Sequence, residues 1–115
     1  MEQTLVALVF AGLGVIFCTI AIPLIQGKVA RNGIYGFRTP KTLSSDRYWF
    51  PANRYMGRDM FVAGIAIAVG SLIMLAAWPM LGLSPENIAF GGTALVAIPV
   101  AITMYRGFNY LRRLV

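Results

Sequence analysis

The chain has 115 residues, 58% of them hydrophobic, with a mean hydropathy of +0.72, well outside the range of soluble globular domains, so water is not its solvent. Ten Lys and Arg stand against four Asp and Glu, and a basic excess on so apolar a chain points to anionic lipid or an anionic ligand at a membrane surface rather than to direct contact with nucleic acid. There is no His and a single Cys, Cys18, placed inside an apolar run, which excludes a disulfide framework and a His/Cys metal site within one chain and calls for no cofactor.

The first element is a membrane span over about 4–25, the apolar part of a stretch, 3–27, that carries no Asp, Glu, Lys or Arg. Cleavage as a signal peptide is not expected, because Glu2 is the only charged side chain ahead of the apolar run and Phe17 precedes Cys18. Pro23 should kink this helix or mark its end.

A long connection follows, 28–59, with the aromatic residues Tyr35, Phe37, Tyr48, Trp49, Phe50 and Tyr55 among its cations, a composition that favours packing over disorder. Asn32-Gly33 and Gly36 are turn signals, and Thr39-Pro40 sets an extended residue before the proline. Ser44 or Ser45 can then cap a helix beginning at Asp46 that runs along the interface over about 45–58, bent or interrupted near Pro51. That helix places Trp49 and Asn53 on one face and Arg54 and Arg58 on another, and like charges four apart repel unless an anion lies between them. Arg38, Arg54 and Arg58 are therefore the candidate ligands for a phosphate, a carboxylate or a lipid head group, since Asp46 and Asp59 are the only acids on this side. The plainer alternative is an interfacial aromatic belt with solvated cations.

Two further spans are expected over about 60–82 and 86–105, the last containing Pro99. Between them Ser84-Pro85-Glu86-Asn87 reads as a helix start, with Ser84 as N-cap, so these spans form a tight antiparallel hairpin. Small residues four apart, Gly64 with Ala68, Ala66 with Gly70 and Ala97 with Ala101, suit close helix contact; internal packing is preferred over a seam between copies in a homo-oligomer.

Three crossings put 28–59 and the tail after span three on one side, so all ten cations share that side while Glu2 and Glu86 face the other. The positive-inside rule then places the N-terminus outside and the C-terminus in the cytoplasm. The fold class expected is an all-α membrane protein, one domain over 1–115, with three transmembrane helices and a cytoplasmic loop that contains a short interfacial helix.

Asn32, the run Tyr35-Gly36-Phe37-Arg38-Thr39-Pro40-Lys41-Thr42, then Trp49, Asn53-Arg54 and Gly57 form a pattern that resembles the SdpI family, bacterial membrane proteins named for an immunity protein against a secreted peptide toxin. The resemblance covers the loop closely and the flanking spans in pattern. It implies that Asn32, Tyr35, Gly36, Thr39, Pro40, Thr42, Trp49, Asn53 and Gly57 carry the motif. The family's immunity protein is longer, and this chain resembles its C-terminal three-span unit.

The function the resemblance implies is immunity against, or sensing of, a membrane-active peptide in the bacterial cytoplasmic membrane. The partners implied are membrane lipids, a peptide toxin and a cytoplasmic repressor held at the membrane. The alternative is a lipid- or anion-binding protein that uses the Arg-rich loop. A proton-coupled exporter would need an acidic residue within a span, and none is present. Catalysis is not expected without His, an activated Cys or a paired set of acids.

Overall fold

The computed structural model describes residues 2–82 and 84–114, with side chains throughout except at 2, 3, 79, 81, 85 and 88, so the outward placement expected of the Glu2 side chain lies outside the described residues. Four helices follow in order: α1 (Glu2–Ile25), α2 (Pro40–Ser44), α3 (Asp46–Leu81) and α4 (Pro85–Arg113). Three of them, α1, α3 and α4, are long and apolar enough to cross a membrane, with candidate spans Thr4–Ile25, Asp46–Trp78 and Ala89–Arg113. α2 is the short helix of the connecting loop. The fold is all-α, as expected.

α1 ends just after Pro23 in a Schellman turn: Lys28 N donates to Pro23 O at 3.0 Å, Gly27 N donates to Leu24 O at 3.3 Å, and Gly27 takes φ 71°. α3 begins at Ser45, whose extended backbone and Oγ, accepting from Arg47 N, make it the N-cap. The segment expected to lie along the interface over 45–58 is helical, but it is the first part of α3 rather than a separate piece, and Pro51 does not interrupt it. At 36 residues α3 is about 54 Å long, so it overruns a hydrocarbon core of about 30 Å by several turns. α4 likewise runs past Pro99 and past the expected end at Tyr105. Arg106 at that end donates to Asp59 Oδ2 at 2.6 Å, so the first charge after the apolar run is paired and the helix continues to Arg113.

α3 packs mainly on α1 and secondly on α4. The α1–α3 contact is backbone on backbone: a Cβ on Gly64 would lie 2.6 Å from Gly14 O and 2.7 Å from Cys18 Sγ, and one on Gly14 would meet Gly64 O and stand 2.6 Å from Ala68 N. Gly64 and Ala68 thus serve internal packing. Gly70 faces Leu95 of α4, while Ala66, Ala97 and Ala101 are exposed. Two hydroxyls inside the spans bond to their own helix, Ser71 Oγ to Ile67 O at 2.6 Å and Thr93 Oγ1 to Ala89 O at 2.9 Å, and the Cys18 thiol donates across to Phe61 O of α3 at 3.4 Å, as an environment without water requires.

Candidate functional site

The loop 28–45 folds back over the ends of the three long helices. Asn32 shapes its first half, because its side-chain amide meets four backbone groups: Oδ1 accepts from Ile34 N at 2.8 Å and Tyr35 N at 2.6 Å, and Nδ2 donates to Ala30 O at 2.8 Å and Tyr35 O at 3.0 Å. Tyr35 then reaches down to α1, donating its hydroxyl to Ile20 O, and burial pushes its pKa above the ordinary value.

Gly36 sits where the loop meets α3. Its φ is 122°, and a Cβ there would come within 2.8 Å of Asn53 Oδ1 and 2.9 Å of Trp49 Cη2. Trp49 is fully buried beneath it and donates Nε1–H to Val29 O at 2.7 Å. One turn on, buried Asn53 accepts from Phe37 N at 2.5 Å and donates to Trp49 O at 2.9 Å and Phe37 O at 3.4 Å. A single side chain thus grips both polar groups of one loop residue, which satisfies a buried backbone that no helix supplies with partners.

Thr39 and Thr42 close the second half with a reciprocal cap: Thr39 N donates to Thr42 Oγ1 at 2.7 Å and Thr42 N to Thr39 Oγ1 at 3.1 Å, with Pro40 opening α2. The buried Thr42 hydroxyl also donates to Phe37 O at 2.9 Å. Gly57 lets α1 approach α3, since a Cβ there would stand 3.1 Å from Ile25 Cγ1 and 3.3 Å from Ala21 O. The motif residues Asn32, Tyr35, Gly36, Thr39, Pro40, Thr42, Trp49, Asn53 and Gly57 therefore form one connected framework.

The three arginines are distributed differently. Arg38 donates to Gly33 O within the loop and borders a cavity of about 390 Å³. That cavity lies among α1, α3, α4 and the loop and is walled by apolar side chains, among them Phe17, Met56, Met60, Met104 and Phe108. Arg54 donates Nε–H to Ile25 O at 3.2 Å and shares a separate groove with Arg58. Arg54 and Arg58 are brought together; Arg38 opens elsewhere.

Two participants were not singled out from the sequence. Lys41 Nζ donates to Leu111 O at 2.8 Å and Leu114 O at 2.6 Å, capping the end of α4. Phe37 meets Phe108 edge-on at 5.2 Å and packs with Ala52 and Leu111. Both contacts join residues some seventy positions apart, and a lysine in a basic loop carries no local sign that it caps a distant helix.

No solved structure matches the chain. Over 43 residues it is 40% identical to the uncharacterized protein YfhL of Bacillus subtilis (strain 168), a match that covers 37% of this chain and 39% of that relative. The sequence model of the SdpI/YfhL protein family matches residues 28–105, from the start of the folded loop into the third span. With its motif framework and its three membrane-spanning helices, this chain belongs to the SdpI/YfhL family of integral membrane proteins.

Proposed function

We propose that the protein recognises a membrane-active peptide from within the bilayer and thereby gives immunity against it or senses its presence. The observation that carries this reading is the cavity of about 390 Å³ under the loop, of a size that suits a few large apolar side chains. Three of its wall residues are methionines, Met56, Met60 and Met104, whose unbranched thioethers adapt to ligands of varied shape. Arg38 and Thr103 supply the polar groups with which a peptide backbone is oriented at its border. Family membership supports the same direction, since the resemblance to SdpI implies protection against a secreted peptide toxin.

The test is survival of a peptide-sensitive bacterial strain that expresses the chain. Expression should raise survival, and filling the cavity by Ala63→Phe or Val100→Phe should abolish the gain at unchanged membrane levels of protein. Absence of protection against every membrane-active peptide tried, or full protection by both filled variants, would count against the reading.

A further inference from the structure

Beside the motif framework lies a second hollow, about 370 Å³, lined by Phe50, Pro51, Arg54, Tyr55, Arg58 and Tyr110. It shares no lining residue with the apolar cavity. Arg54 and Arg58 stand one turn apart on α3, where like charges repel unless an anion lies between them.

No protein carboxylate fills that role. Asp59 is engaged by Arg106 at 2.6 Å and Asp46 by Arg31 at 2.9 Å, and among the described residues these are the only Asp or Glu side chains at this end of the molecule. Arg54 is held by its Nε–H bond to Ile25 O and by the packing of Nη2 against Gly27, and its terminal nitrogens have no acceptor among the described residues. The wall opposite is fixed as well: Tyr55 stacks on Tyr110 with centroids 4.2 Å apart and planes 5° from parallel, and Arg106 lies 5.5 Å over the Tyr55 ring.

Depth decides the class of anion. Arg58 and Asp59 are the last charged residues before the uncharged stretch that begins at Met60, and Arg106 is the first after the stretch that ends at Tyr105. The groove therefore lies where the hydrocarbon core gives way to head groups, the layer in which lipid phosphates are concentrated. We propose that it binds the phosphate of an anionic phospholipid, with the forked guanidinium groups of Arg54 and Arg58 as donors and the aromatic wall beside the glycerol. This goes beyond the peptide reading and does not depend on it.

Native mass spectrometry of the full chain in a neutral detergent, with no peptide present, tests it. Phosphatidylglycerol should bind more tightly than phosphatidylcholine. The double variant Arg54→Gln/Arg58→Gln should lose at least about tenfold more affinity than Arg112→Gln/Arg113→Gln, which removes the same charge from the end of α4. Arg54→Lys/Arg58→Lys should fall between wild type and the Gln pair, because an ammonium keeps the charge but not the fork. If the double variant does not fold, Arg58→Gln alone carries the test, with an expected loss of about threefold or more. Equal losses in the two Gln pairs would overturn the site in favour of diffuse basic attraction. Displacement of phosphatidylglycerol by millimolar inorganic phosphate would overturn the lipid assignment in favour of a free anion.

Discussion

Gly36 faces a double constraint, a left-handed φ of 122° and two side-chain atoms within 3 Å of where a Cβ would stand. Gly36→Ala should therefore lower stability by about 2–4 kcal/mol, read as a fall in the thermal midpoint of the purified protein. Gly33→Ala, whose Cβ would meet nothing within 4 Å, should change it by less than about 0.5 kcal/mol. Equal tolerance at both positions would mean that the loop does not rest on Trp49 and Asn53. The turn residues Asn32 and Gly36 and the helix cap at Ser45 were legible because each acts on its own neighbours. The hydrogen-bond partners of Trp49 and Asn53 were not, since Val29 and Phe37 lie sixteen to twenty residues away and only the folded loop brings them near. The grouping of Arg38 with Arg54 and Arg58 rested on charge and aromatic company, which does not say onto which hollow each side chain opens.

Among the elements, α3 is the one on which the others are arranged. Replacing Gly64 by Leu should separate α1 from α3 and cost several kcal/mol, because backbone atoms rather than flexible side chains fill the space. Ala66→Leu, on an exposed face of the same helix, should be nearly neutral in detergent, and the difference between the two melting temperatures checks the packing. For α4, Lys41→Gln should speed amide hydrogen exchange over residues 111–114 while leaving α1 unchanged, since it removes the cation that caps two terminal carbonyls. The three spans were legible from runs without charge, and so were the end of α1 at Ile25 and the start of α4 after Ser84; what was not legible is that α3 runs unbroken from Asp46 into the span and that α4 continues past Tyr105. An apolar run marks where lipid lies, and a helix continues beyond it wherever its charges reach water or a partner, as at Arg106 with Asp59.

At the scale of the molecule, the cations gather at one end of an object measuring 51 × 23 × 19 Å along its principal axes. We propose that this end faces the cytoplasm. In a Cys18→Ser background, a membrane-impermeant thiol reagent added from outside should label Glu2→Cys and Glu86→Cys but not Lys41→Cys or Arg113→Cys; labelling at position 41 would reverse the orientation. Because α3 passes from the membrane into the loop framework without a break, it is mechanically a single rod. About 37 Å of it lies between the bilayer mid-plane and Asp46 if its apolar part is centred in the core, so a tilt of about 5° at mid-membrane displaces that tip by about 3 Å. A lodger that pries α4 from α3 by such a small angle would thus be felt outside the bilayer as a shift wide enough to break a hydrogen bond, with no change of fold at all.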